Sequence, residues 1–198
     1  MGPLNVTAVI LSASRRRVQR RLDGVRVMTH VSRFRDAAGL LDARVAAVQR
    51  VETDWFFFLD DDDELPADYL RVIDLCVAAG TPIAYTDEII TRDDRSQTVR
   101  RGAPYSEDGF VANSTLIHHL AVCRTEAARR AAAVIPRGTY AVENLLFFEI
   151  AKGGATYVPE IGYIWHRRKT GLNRHPSVVI GLVRSTCWAN RNRSECRG

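Results

Sequence analysis

Lysine is nearly absent from this 198-residue sequence, in which only Lys152 and Lys169 are lysines among 28 basic side chains. This preference for arginine, with abundant alanine, is typical of a GC-rich coding sequence, as in an actinobacterium or its phage. Selection for nucleic-acid binding is the alternative explanation. The formal net charge of +5 favours anionic partners such as nucleotides, phosphorylated substrates or DNA, whatever its origin.

Cysteine is also sparse, and the four that occur form neither a CxxC pair nor a zinc-ligand spacing. We therefore predict reduced, structural thiols at Cys76, Cys123, Cys187 and Cys196. No apolar run approaches the ~18–20 residues that cross a bilayer. The opening segment carries its arginines after its apolar stretch, the reverse of a signal peptide, so we expect a cytoplasmic protein.

Common phosphate and calcium motifs are missing as well. No GxxxxGK followed by serine or threonine occurs, and no glycine-rich dinucleotide fingerprint follows the first apolar run. A calcium loop of the EF-hand type starting at Asp60 would need a glycine where Leu65 stands and a glutamate where Arg71 stands. The sequence therefore excludes P-loop, dinucleotide-binding and EF-hand sites of the usual kind.

The sequence does contain an alternation of short apolar runs with amphipathic helical patterns. With 46% hydrophobic and 26% charged residues it is typical of a globular protein. We predict an α/β fold with a mixed, mostly parallel central sheet flanked by helices. Residues 1–175 are expected to form one domain, and 176–198 a basic tail or terminal helix. Predicted strands are 6–11, 25–28, 55–59, 82–90, 120–123, 155–158 and 161–165. Helices are predicted to start near Asp36, Pro66, Thr125 and Glu143, with Thr125 as an N-cap.

The most informative segment is 54–66, DWFFFLDDDDELP, in which an apolar run leads directly into four aspartates and a glutamate. Such a run is typical of a strand buried on both faces of a sheet. Its carboxylates then fall at the carboxyl end of the strand, where open α/β sheets bind ligands. Neighbouring carboxylates repel unless a cation compensates, so the run predicts either a divalent metal site or a solvated acidic loop. An extended chain would point Asp60 and Asp62 to the same side.

Basic residues and histidines cluster in three other places. Arginines at positions 15, 16, 17, 20 and 21 are expected to form a phosphate-binding or a solvated basic surface. His118 and His119 are adjacent, so on an extended chain they would face opposite ways and could not easily bind one metal ion together. This favours structural or acceptor-side roles for them. The segment WHRRKTG brings His166, Arg167, Arg168 and Lys169 together.

These segments resemble the family 2 glycosyltransferases of the GT-A fold. LDDDDELP resembles the LDxDD variant of that family's DxD motif. LDARVAAVQRVETDWFFFLD is similar to the helix with an Ala-Arg-Asn motif that precedes it, with Arg44 at the arginine position and Val45 in place of the asparagine. YTDEII and HHLAVCRTEAAR resemble the segments that follow, so the likeness extends over most of the chain.

The resemblance implies a site for a nucleotide-diphosphate sugar, a UDP- or GDP-sugar, with Mn²⁺ or Mg²⁺ as cofactor. Asp62 would bind the metal ion, with His166 as a further ligand and Asp61 and Asp63 as lesser candidates. The donor site would comprise residues that contact the ribose, the sugar or the diphosphate, namely Asp60, Arg44, Ser12 and Arg168.

The catalytic base is implied by a second motif. YAVENLLFFEIAKGG resembles the family's helix EDWDLWLRLAK, and aligning the helix ends puts Glu143 at the position of the catalytic aspartate. A shift of one residue would put Asn144 there, and an amide cannot accept the proton. A glutamate placed at a helix N-terminus for its favourable charge is the alternative explanation.

The implied function is a metal-dependent, inverting transfer of a sugar to an acceptor hydroxyl. The acceptor is open between modified DNA, a protein, an envelope glycan precursor and a small molecule. A sugar-nucleotide or nucleotidyl transferase and a non-catalytic nucleic-acid-binding protein are the alternatives. His30 and Ser32 replace an Asp pair that many relatives carry after the second strand. Because the chain is short, acceptor recognition is expected to use few elements or a second subunit of a homo-oligomer.

Overall fold

A computed structural model describes residues 4–12, 22–32, 36–139, 141–168 and 176–192. None of the helices in these ranges combines the length and apolar character that a membrane span requires. The elements in chain order are β1 (Val6–Ser12), β2 (Arg26–Val31), α1 (Ala37–Val48), β3 (Trp55–Asp60), α2 (Tyr69–Ala78), β4 (Ile83–Arg92), β5 (Gln97–Arg100), α3 (Glu107–Ala112), β6 (Ala121–Arg124), α4 (Thr125–Val134), α5 (Asn144–Ala151), β7 (Ala155–Arg167) and α6 (Pro176–Arg191).

The strands form one sheet in the order β2-β1-β3-β6-β4, and β5 and β7 also pair with β4. The pairs β1·β2, β1·β3 and β4·β7 are parallel, whereas β3·β6, β4·β6 and β4·β5 are antiparallel. The predicted α/β class is confirmed, but the sheet is mixed and not mostly parallel. The reason is that β6 lies between β3 and β4 with the opposite direction, so one central strand creates two antiparallel pairings.

β3 is buried on both faces, as predicted from its apolar run. Phe56 and Phe58 pack in the core that includes residues of α1, α4 and α5, and Phe57 and Leu59 pack in the core that includes residues of α2. Because side chains alternate along a strand, Asp60 lies on the same face as Phe56 and Phe58. The last residue of β3 therefore faces α1 and α5.

Several predicted boundaries differ from the observed ones. The predicted N-cap at Thr125 is wrong: Thr125 is the first residue of α4, and its hydroxyl donates to the Thr53 carbonyl at 2.7 Å. α2 begins at Tyr69 rather than at Pro66. The two strands predicted at 155–158 and 161–165 are one strand, β7, whose pairing register with β4 shifts on either side of Asp87. β5 and α3 have no counterpart among the predicted strands and helices.

α6 packs against α3 and α5, and the Trp188 Nε1–H donates to a Glu149 carboxylate oxygen at 2.7 Å. Cys76 and Cys123 are buried free thiols, and Cys187 is an exposed free thiol. Cys196, Lys169 and the arginines at positions 15–21 lie outside the described residues.

Candidate active site

Three elements bring Arg44, Asp60 and Glu143 together. Arg44 lies on α1, Asp60 ends β3, and Glu143 immediately precedes α5. The Arg44 Nη2 donates to Asp60 Oδ1 at 3.0 Å, and its Nε lies 3.8 Å from Glu143 Oε2. One guanidinium group therefore stands between two carboxylates, and its planar shape orients both of them.

Arg44 is buried, with 2% of its surface exposed, and its guanidinium carbon lies 4.6 Å from the centre of the Phe58 ring. Burial acts to lower the pKa of Arg44, but the Glu143 and Asp60 carboxylates raise it above its ordinary value. Burial likewise acts to raise the pKa of Asp60, but Arg44 and His119 hold it below the ordinary value. Asp60 is therefore an ionised carboxylate at neutral pH, paired with the buried guanidinium group of Arg44.

The side chains of Arg44, Asp60 and Glu143 line a cavity of about 440 Å³, a volume within the range of small-molecule sites. Apolar residues of α1 and α6, including Leu40 and Leu182, form part of its wall. The other polar residues that line the cavity are Arg100, Thr115, His118, His119, Asn144 and Arg167. The site thus combines an apolar wall with convergent charged groups at the carboxyl end of β3.

The chain turns immediately after Asp60, and the Asp63 N–H donates to the Asp60 carbonyl at 3.2 Å. The extended geometry that would have aligned Asp60 with Asp62 is therefore wrong. Asp61 accepts a hydrogen bond from the buried Ser12 hydroxyl at 2.9 Å, so Ser12 joins the end of β1 to the acidic turn. Within the turn, each aspartate has a different environment.

Asp63 is the buried member of the run, with 1% of its surface exposed. Its carboxylate accepts from the His166 backbone N–H at 2.8 Å and from the Tyr163 hydroxyl at 2.9 Å. The same hydroxyl accepts from the Asp60 N–H at 3.1 Å. Burial and the charge of Asp60 raise the pKa of Asp63 to about 6. Asp63 therefore joins the acidic turn to β7.

Asp62, His166 and Arg168 lie around a second cavity, of about 390 Å³. Asp62 Oδ2 lies 3.4 Å from Arg168 Nε, and His166 Nε2 lies 3.3 Å from Glu64 Oε1. Arg167 lines both this cavity and the first one. The residues predicted as one site therefore occupy two adjoining cavities, Arg44, Asp60 and Glu143 in one and Asp62, His166 and Arg168 in the other.

The prediction that His118 and His119 face opposite ways is wrong. The residues precede β6 in a bend and not in an extended strand, and their ring centres lie 4.0 Å apart. Nδ1 of His118 lies 2.9 Å, and Nδ1 of His119 3.3 Å, from the same oxygen of Glu88. Glu88, on β4, was not singled out in the sequence. The signal for it was an acidic pair, Asp87 and Glu88, inside an apolar strand, because buried carboxylates need partners.

The three side chains of this cluster titrate differently. Burial and the neighbouring His119 lower the pKa of His118 to about 4. Burial acts to lower the pKa of His119 too, but Glu88 and Asp60 raise it above its ordinary value. Burial acts to raise the pKa of Glu88, but the two histidines hold it far below the ordinary value.

Comparison with known proteins adds a fold relationship. Neither a protein-family model nor a curated protein matches the sequence. S. aureus TarS 1-349 in complex with UDP-GlcNAc matches with a TM-score of 0.57 and 12% identity, over 86% of this chain and 52% of that one. The complex of TarS 1-349 with UDP matches with a TM-score of 0.53 and 12% identity, over 86% and 50%. A further TarS structure matches with a TM-score of 0.55 and 9% identity, over 82% and 36%.

The chain therefore spans about half the length of the TarS 1-349 chain that it matches. At this identity the likeness shows that the two proteins share an α/β fold. It gives no support to the phage or actinobacterial origin that the composition suggested.

Proposed function

We propose that this protein is a glycosyltransferase of the GT-A fold, which binds a nucleotide-diphosphate sugar and transfers the sugar to an acceptor hydroxyl with inversion. The observation that carries the proposal is the Asp60–Arg44–Glu143 constellation, which lines a cavity of about 440 Å³ at the carboxyl end of β3. The fold supports it, because the TarS chain that shares this fold binds UDP-GlcNAc.

The arginines of the second cavity suit the diphosphate of such a donor. Four line it, at positions 92, 95, 167 and 168, beside the carboxylates of Asp62, Glu64 and Asp93. Guanidinium groups bind phosphate oxygens through paired hydrogen bonds, which makes arginine a frequent phosphate ligand. In this arrangement Arg168 contacts the diphosphate, Asp60 contacts the ribose or sugar, and Arg167 borders both parts of the donor.

A divalent metal ion fits the same cavity by donor chemistry. Asp62 and Glu64 offer carboxylate oxygens, and His166 offers Nε2, a buried nitrogen without a hydrogen-bond partner in the described part of the chain. Asp62 and His166 would hold the Mn²⁺ or Mg²⁺ ion, for which the carboxylate oxygen of Asp62 is the preferred kind of ligand and the His166 nitrogen a less favoured one. When bound, the ion would neutralise charge that develops on the departing diphosphate. A cation at this position would compete with Arg168 for Asp62.

Glu143 is the proposed general base, which takes the proton of the acceptor hydroxyl as that oxygen attacks the anomeric carbon. Its side chain is 14% exposed and lines the first cavity. Asn144, the alternative in the other register, donates its amide to the Ile117 carbonyl at 3.2 Å and is buried. Arg44 is a positioning residue, since it orients Glu143 and Asp60 relative to each other.

The proposal is tested by a screen of nucleotide sugars against the protein in Mn²⁺, first by thermal shift and then by release of nucleoside diphosphate. One UDP- or GDP-sugar should stabilise the protein and be hydrolysed slowly in the absence of an acceptor. Asp62→Ala should abolish the metal-dependent activity. Glu52→Ala is the matched control, because it removes one carboxylate whose side chain is 82% exposed and pairs with Arg26 away from both cavities. Full activity of Asp62→Ala would contradict the assignment, and formation of a nucleotide sugar from triphosphate and sugar phosphate would identify a nucleotidyl transferase instead.

A further inference from the structure

Glu88, His118 and His119 form a cluster of potential metal ligands that the proposed donor site does not use. Their ligand atoms all lie within 4.8 Å of one another, and no other group of three or more such residues comes this close in the described ranges. The side chains are 2%, 17% and 10% exposed, respectively. Asp62 and His166 do not belong to the group.

The spacing of the ligand atoms suits one first-row metal ion. With metal–ligand distances of ~2.0–2.1 Å, neighbouring ligand atoms lie ~2.9 Å apart in an octahedral site and ~3.3 Å apart in a tetrahedral one. Glu88 Oε2 lies 2.9 Å from the His118 Nδ1 and 3.3 Å from the His119 Nδ1. The shorter distance is also that of the His118–Glu88 hydrogen bond, and both distances are close to those that one bound ion would require.

A second observation points to a ligand at the same place. The His119 Nδ1 is buried and forms no well-aligned hydrogen bond among the described residues, although it lies 3.3 Å from Glu88 Oε2. An unsatisfied buried nitrogen destabilises the fold unless something else binds it. A metal ion would satisfy this nitrogen directly.

The surroundings hold the three side chains in place. The Arg100 Nη1 lies 3.3 Å from Glu88 Oε1, which leaves Oε2 directed at the histidines. Arg100 itself is held by hydrogen bonds to the carbonyl and hydroxyl of Thr115. The His119 ring stacks on Tyr163 with centres 4.5 Å apart. Such outer contacts orient the ligands of metal sites in proteins.

From this geometry we propose that Glu88, His118 and His119 bind a divalent first-row transition metal of the Zn²⁺ class. Two imidazoles and one carboxylate favour such ions over Mg²⁺, which prefers oxygen ligands. Both histidines line the cavity that contains Asp60 and Glu143, so the remaining coordination positions of the ion are open to that cavity. This site is separate from the Asp62–His166 site of the proposed donor.

The experiment measures metal binding by the full chain without any nucleotide sugar. Chelator-treated protein is titrated with Co²⁺, whose visible absorption reports nitrogen and oxygen coordination, and the bound Co²⁺ is then displaced with Zn²⁺. At least one equivalent should bind, and His119→Ala should weaken the binding of one equivalent by at least the ~10–100-fold that loss of even an outer-shell partner costs. Glu88→Gln, which is nearly isosteric, should weaken it similarly and guards against a folding defect in the first variant.

His30→Ala is the matched control, because it removes a histidine of β2 that lines neither cavity. This variant should keep the Co²⁺ spectrum and affinity of the wild-type protein. Equal binding by the wild type, His119→Ala and Glu88→Gln, or no binding at all, would overturn the proposal. Loss of binding in His166→Ala alone would assign the ion to Asp62 and His166, and would leave the proposed glycosyltransferase function intact.

Discussion

Replacement of Arg44 by methionine tests the constellation on which the candidate site depends. Methionine retains an unbranched apolar stem that packs on Phe58, so the substitution removes mainly the charge. Asp60 and Glu143 would then face each other without the cation that lies 3.0 Å and 3.8 Å from them. We expect Arg44→Met to be folded but clearly less stable than the wild type at pH 7.

The magnitude follows from the burial of the partners. Removal of one member of a fully buried ion pair costs about 3–5 kcal/mol. Here the Asp60 side chain is 36% exposed and that of Glu143 14% exposed, and the second contact is long. Water therefore screens part of the repulsion, and the expected loss is about 2–3 kcal/mol.

The pH dependence of this loss gives the sharper test. Because the pKa of Asp60 is below its ordinary value of 3.8 in the folded protein, its ion pair stabilises the fold above that pH. The stabilisation disappears as the pH falls through the folded-state pKa. The difference in unfolding free energy between wild type and Arg44→Met should therefore narrow below pH 3.8.

Urea unfolding followed by circular dichroism at several pH values measures this difference. Arg26→Met is the control, because the Arg26–Glu52 pair is 60% and 82% exposed, and it should cost less than about 1 kcal/mol. A loss in Arg44→Met no larger than in Arg26→Met, or one that does not change with pH, would show that Arg44 does not stabilise the fold through its ion pairs with Asp60 and Glu143.

Three further substitutions have outcomes that the structure defines. Asp63→Asn should remove a pH dependence of stability, because the Asp63 carboxyl has a pKa of about 6 in the folded protein against 3.8 when unfolded. The unfolding free energy of the wild type should therefore fall by about 3 kcal/mol as the pH rises from 3.8 to about 6. An equal fall in the variant, measured by urea unfolding, would contradict this assignment. Gly162→Ala would put a methyl group 2.4 Å from the Thr86 hydroxyl, so denaturation should reveal a loss of about 1–3 kcal/mol that Thr86→Ala partly restores. Arg168→Ala should raise the KM for the donor about tenfold, as expected for a lost charged hydrogen bond, whereas an unchanged KM in steady-state assays would exclude a diphosphate contact.

The apolar strands were predicted well because a short run of hydrophobic residues by itself indicates a buried strand. β1 and β3 are short hydrophobic runs with polar residues on both sides, and no tertiary contact is needed to recognise them. The direction of β6 was not predictable in the same way. β6 has only four residues, and their apolar pattern does not indicate whether the strand is parallel or antiparallel to its neighbours. Its antiparallel direction is set by its pairing with β3 and β4.

The sequence indicated a residue of the candidate site only where the strand or helix that carries the residue could itself be recognised. Asp60 follows a buried strand, and its position beside Arg44 and Glu143 is observed. The acidic turn shows what the sequence could not predict, since nothing in four identical residues distinguishes the buried Asp63 from the three half-buried aspartates before it. Its burial depends on Tyr163 and His166, about 100 residues later in the chain. For the same reason Glu88 was missed, and the two histidines were wrongly predicted to face opposite ways.

Donor turnover in Glu143→Gln tests whether Glu143 is the general base. The amide keeps the shape of the side chain but cannot accept a proton. We expect the nucleotide sugar identified in the screen to bind this variant with near wild-type affinity, while the rate of sugar transfer falls by about 10²–10⁴. Unaltered turnover, with donor affinity also unaltered, would contradict the account and place the base elsewhere.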